Sequence, residues 1–126
     1  MSIDSQIDPE LNVIIRIVTG EVAVSDVISA FDESLTRAEF KKDMNVIWNL
    51  NDAEVSDWKE EKYLEIIKLI GKNTTLRGSN YKIAIVAQKN LTFGVARVLE
   101  SYGYKLPQSI RVLKCMDDAY DWIEYK

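Results

Sequence analysis

The chain has 126 residues, a formal net charge of −4, and 47% hydrophobic and 29% charged residues. That is enough for one domain, residues 1–126, of ordinary soluble globular composition. With no histidine and a single cysteine, one chain cannot build a Ser-His-Asp or Cys-His catalytic pair, a zinc site of His and Cys, or an internal disulfide.

An acidic balance opposes a phosphate backbone, so nucleic acid is not an expected partner. No window approaches the ~18 apolar residues of a membrane span, so the chain is not expected to span a membrane. The first nine residues lack the apolar core of a secretory signal. The lone Cys115 fits a reducing compartment, and the expectation is a cytoplasmic protein of bacterial style. Charge is unevenly placed. Residues 1–65 hold fifteen acids and six bases, a net of −9. Residues 66–99 hold no acid and six bases: Lys68, Lys72, Arg77, Lys82, Lys89 and Arg97. This segment reads either as chance clustering on a solvated surface or as an anion-facing patch.

Ile3 to Ile7 reads as a short first strand, and the β-branched run Asn12 to Val18 as a second. Pro9-Glu10-Leu11 between them points to a turn, hence an antiparallel edge hairpin. Val24, Val27, Ile28, Phe31 and Leu35 form one helical stripe. Met44 to Leu50 is a near-continuous apolar strand, as expected of one buried on both faces. Ser56-Asp57 opens the next helix, with Tyr63, Ile66, Ile67 and Ile70 inside and Gly71 as cap. Tyr81 to Ala87 is a buried strand. Thr92 caps a helix whose stripe is Val95, Val98, Leu99 and Tyr102, ended by Gly103. Ser109 to Leu113 is the last strand, and Asp117 caps a final helix packed through Ala119, Trp122 and Ile123. The alternation predicts an α/β domain with a mostly parallel sheet of about five strands and about four helices.

In such sheets, ligands meet the carboxyl ends of the strands. Those ends nominate Asn49, Asn51, Asp52, Lys89, Asn90, Thr92 and Arg97 as a ligand or partner surface. Asn49, an amide within an apolar run, is either a structural bridge to a neighbouring strand end or a ligand-facing group. Gly71-Lys72 is no phosphate-binding loop, because position 66 is Ile and the pair follows a helix. Asp52, Glu54 and Asp57 have the oxygen chemistry of a hard-cation site, but acids at a helix start serve the helix dipole, and no metal or cofactor is expected. Ser56 is read as a helix N-cap, with phosphorylation as the alternative.

Four segments together resemble the SpoIIAA-like family, small bacterial proteins of STAS and CRAL-TRIO character. They are NVIIRIVTGEVAVSDVISAF, DMNVIWNLNDAEVSD, YKIAIVAQKNLTFGVARVLE and IRVLKCMDDAYDWI. The resemblance spans nearly the whole chain in order. It implies a single SpoIIAA/STAS-like domain and a protein-interaction switch rather than an enzyme. Anti-sigma antagonists of the wider group carry a phosphorylatable serine in an Asp-Ser-Ser/Thr-Gly stretch. The matching loop, Asn51 to Asp57, has neither that tetrad nor a glycine, so the switch is not carried over and Ser56 is merely the nearest serine. The CRAL-TRIO side of the resemblance implies an apolar ligand such as a lipid.

Two functions follow as expectations. The first is a non-enzymatic regulatory or protein-interaction module, its partner another protein or a second copy that hides an open edge strand. The alternative is a small carrier of a lipid or other apolar anion. An enzyme would have to rest on Asp52 or Lys89, with nothing linking them into a geometry.

Overall fold

A computed structural model of the chain describes residues 2–55, 58–72 and 74–124. Five strands, β1 (Ser2–Asp8), β2 (Val13–Glu21), β3 (Asn45–Glu54), β4 (Lys82–Val86) and β5 (Ser109–Leu113), form one sheet in sequential order. β1 pairs antiparallel with β2, and every later pairing is parallel. Helices α1 (Val24–Ser34), α2 (Glu60–Gly71), α3 (Thr74–Arg77), α4 (Asn90–Tyr102) and α5 (Met116–Glu124) complete the described elements. The α/β architecture and the edge hairpin are as the sequence predicts. The four-residue α3 is the addition.

The sequential order dictates the layers. Parallel crossovers are almost always right-handed, so strands added in one direction place α1, α2 and α4 on the same face. Strand alternation agrees. Ile14, Val18, Val46, Ile83 and Ile85 point toward the α1, α2 and α4 layer, while Val13, Ile47, Ala84 and Val86 pack against α5 through Ala119 and Ile123. α5 comes after the last strand, so it is free to cross to the opposite face, where it covers β3, β4 and β5.

Several element ends differ from expectation. α2 begins at Glu60 with Lys59 as N-cap, and the predicted opening pair Ser56-Asp57 lies outside the described residues. Lys72, one residue beyond Gly71, caps its end. α4 starts at Asn90 after Lys89, which leaves Thr92 in the first turn and buried. α5 starts at Met116, so Asp117 serves its first turn rather than its cap. Thr92 and Asp117 still lie in the first turn of their helices, and the Asp117 charge there suits the dipole. Spacing alone does not place a cap to within about one to three residues.

β3 also runs four residues beyond Leu50. The register jumps between Ile17↔Asn49 and Thr19↔Asp52, so β3 carries one extra residue in a β-bulge. The bulge inverts side-chain parity. Even-numbered Trp48 and Leu50 face the helices before it, and odd-numbered Ala53 and Val55 face them after it.

Candidate functional site

Arg16 occupies the middle of β2 on the helix-facing side, between Ile14 and Val18. Its rung crosses the whole sheet as Ser5, Arg16, Trp48, Ile85 and Val112. It is 2% exposed. Its Nη1 donates to Ser5 Oγ at 2.8 Å and to the Ala30 carbonyl at 3.2 Å, and its Nη2 donates to Ser34 Oγ at 2.6 Å. The guanidinium lies 5.0 Å from the Trp48 ring centroid. Nε has no hydrogen-bond partner. Burial, reinforced by the nearby Arg77 charge, pushes the Arg16 pKa down to about 10, so the group stays cationic at neutral pH.

Arg77 enters from α3 and is 3% exposed. The backbone turns sharply after it. Gly78 has φ +94°, a conformation that strongly favours glycine. The Gly78 N–H returns to the Thr74 carbonyl at 3.0 Å, and the Asp43 N–H donates to the Arg77 carbonyl at 2.9 Å. Asp43 Oδ1 accepts the Asn80 N–H at 3.0 Å. These bonds clamp the loop before β3 to the loop before β4 and aim Arg77 inward. Its guanidinium sits 3.7 Å from the Tyr81 ring centroid and 5.5 Å from that of Phe40. Nη1 is unpartnered. Burial holds the Arg77 pKa below the usual arginine range, and Tyr81 and Asp43 partly offset that. Burial raises the Tyr81 hydroxyl pKa against the pull of Arg77 and of a hydrogen bond from Gln108.

Both arginines line one interior cavity of about 90 Å³ between the sheet and the α1, α2 and α4 layer. Its remaining wall is mainly aliphatic and aromatic, including Phe31 of α1, Trp48 and Leu50 of β3, Ile66 of α2 and Ile83 of β4. Among the described residues, the ion pairs are Arg37 with Glu33 and Arg97 with Glu100. Among the described residues, neither interior arginine has a carboxylate within ion-pair distance. Removing an unpaired cation from water costs several kcal/mol. The aromatic faces, and for Arg16 the neutral oxygens, offset part of that cost, and buried Arg16 Nε and Arg77 Nη1 are left without a hydrogen-bond partner.

The surface nominated from the sequence lies elsewhere, and none of its residues lines the cavity. Asn49 Oδ1 accepts the Asn51 N–H at 3.0 Å within β3, and Asn51 Oδ1 accepts the Gln88 N–H at 3.1 Å. Both amides are half-buried at the bulge, where Asn49 bonds within its own strand and Asn51 bridges to the residues after β4. Asp52 is a strand residue paired with Thr19 rather than a rim-loop residue, because the bulge extends β3. Lys89 and Asn90 are exposed, Thr92 is buried, and exposed Arg97 pairs with Glu100. Ser56 lies outside the described residues.

The acid-free segment is not one surface. Lys82 starts β4 and Lys89 follows its end, roughly 20 Å apart at strand rise. Arg77 from the same segment turns into the core. Sequence reasoning passed over the pairing of Arg16 with Arg77. The available signal was a charge inside the apolar run Val13 to Val18, on the same parity as Ile14 and Val18.

No helix among the described residues is long and apolar enough to cross a membrane. No family model matches the chain, and no curated protein matches it. Among solved structures, it is similar to an uncharacterized protein of the DUF3478 family with a SpoIIAA-like fold from Shewanella loihica PV-4. The TM-score is 0.60 at 15% sequence identity, over 97% of this chain and 92% of that one. The fold of this chain is therefore SpoIIAA-like, as its sequence resemblance implies.

Proposed function

We propose that this domain is a non-catalytic binding module that holds a small, largely apolar ligand inside the fold. The observation that carries the reading is the interior cavity, walled by apolar side chains from the sheet and three helices. Ligand sites commonly combine such walls with a few placed polar groups. Of the two functions expected from sequence, this supports the carrier. The interaction-module reading draws on the fold alone.

The polar wall groups also suit binding better than catalysis. Arg16 and Arg77 stay cationic and offer no lone pair to a proton, and the Tyr81 pKa is raised. None of the three is matched to general acid or base work near neutrality. Thermal unfolding against a panel of small apolar compounds tests the proposal. A ligand that binds only the folded state must raise Tm with concentration. A panel that leaves Tm unmoved while Phe substitutions at the cavity wall raise stability would mark the cavity as a packing defect.

A further inference from the structure

We infer that the ligand is a short-chain monocarboxylate, its two carboxylate oxygens received by Arg16 Nε and Arg77 Nη1 at the polar end of the cavity. This rests on the binding reading above and adds the chemical class of the ligand.

Three observations converge. First, two buried guanidiniums from distant parts of the chain line one cavity, and each has a fully buried nitrogen, Arg16 Nε and Arg77 Nη1, without a hydrogen-bond partner. Second, neither forms an ion pair among the described residues, and Glu33 and Asp43 act on them only from beyond contact, so the fold brings two like charges into an apolar interior without a contacting counter-ion. Burial, and after it the Arg77 charge, lowers the Arg16 pKa. An incoming carboxylate supplies a contacting counter-charge and an acceptor for each of the two buried, unpartnered nitrogens. Charge-assisted bonds of this kind are the strong ones. Third, the wall beyond the arginines is apolar and the space is small. At about 90 Å³ it is tighter than the ~150 Å³ cavity that admits benzene. The body of the ligand is therefore a few carbons, not a long acyl tail.

The same features argue against a phosphate ester. A phosphate head group is larger and more highly charged than a carboxylate, and a cavity of about 90 Å³ walled mainly by aliphatic and aromatic side chains gives it few further polar contacts.

The test is titration calorimetry and thermal unfolding of the full chain with butanoate, butanamide, 1-butanol, inorganic phosphate and palmitate. Butanoate is expected to bind and raise Tm. Butanamide, its neutral isostere, is expected to bind roughly tenfold to a hundredfold more weakly, the loss expected when a charge-assisted bond becomes neutral. Arg77→Met is expected to abolish the difference between acid and amide. Should that variant not fold, the acid–amide comparison on the wild type decides alone. Equal binding of butanoate, butanamide and 1-butanol would overturn the carboxylate assignment while leaving the cavity reading intact. Phosphate matching butanoate would overturn the apolar part of the assignment, and palmitate exceeding it would overturn the size limit. No binding by any of the five overturns the inference. The wider compound panel then decides the binding reading separately.

Discussion

The guanidinium of Arg16 lies 5.0 Å from the ring centroid of Trp48, and the two residues occupy one rung of neighbouring parallel strands. A cation is thus built into the middle of a rung that continues through Ile85 and Val112. The Trp48 face, Ser5, Ser34 and the Ala30 carbonyl hold it there. Its location is costly for stability, and the proposed site uses it for recognition; the two contributions are separable by mutation.

Arg16→Met removes the buried charge and keeps most of the volume. Replacing buried ionic groups by apolar ones of similar size is often neutral or stabilising by about 1–4 kcal/mol. The expected outcome in urea unfolding is a midpoint equal to or above that of the wild type. A loss of more than about 2 kcal/mol would show that the bonds to Ser5, Ala30 and Ser34 outweigh the desolvation cost.

Gly78→Ala is expected to destabilise by about 2 kcal/mol or more. The positive φ costs a non-glycine residue about 1–3 kcal/mol, and a Cβ there would collide with the Asp43 side chain and backbone. Urea unfolding measures it. The same substitution would loosen the clamp that aims Arg77, so ligand affinity should fall with stability.

Asn49→Ala is expected to cost about 1 kcal/mol by removing the acceptor for the Asn51 N–H. Asn49→Asp keeps an oxygen in the same place and should retain most of that stability above the carboxylate pKa. Equal losses from both would mean that the amide N–H₂ matters, not the oxygen at the bulge.

Alkaline pH should weaken the fold through Tyr81. Its folded pKa is raised above the ordinary tyrosine value of 10.0, chiefly by burial. A group with a raised folded pKa contributes stability that is present below the unfolded pKa and is lost as pH rises through the folded one. Tyr63, also raised by burial, acts in the same direction. The alkaline fall in stability should therefore be shallower in Tyr81→Phe than in the wild type. Denaturant unfolding across pH 9 to 12, with tyrosinate absorbance as a second signal, checks the slope.

Much of the fold was legible because its signals are local. The run Asn12 to Val18, the stripe Val24, Val27, Phe31 and the buried strand Tyr81 to Ala87 each carry their own periodicity, and each formed the expected element. The bulge in β3 was not legible. An inserted residue becomes visible only against a partner strand, here where Thr19 meets Asp52 instead of Asn51. For the same reason Asn51 and Asp52 read as a rim loop and proved to be strand. α3 was also hidden, since four residues carry too little periodicity to announce a helix.

The sequence by itself determined the α/β class, the antiparallel edge and the apolar faces, because each follows from side-chain spacing along a short stretch. It also held the two arginines in plain view, one inside an apolar run and one inside the acid-free segment. Only the tertiary structure decided that Arg16 and Arg77, sixty-one positions apart, line the same cavity. That meeting depends on strand parity, on the side taken by the crossovers and on the turn at Gly78. These are relations between segments, which no single segment's pattern encodes.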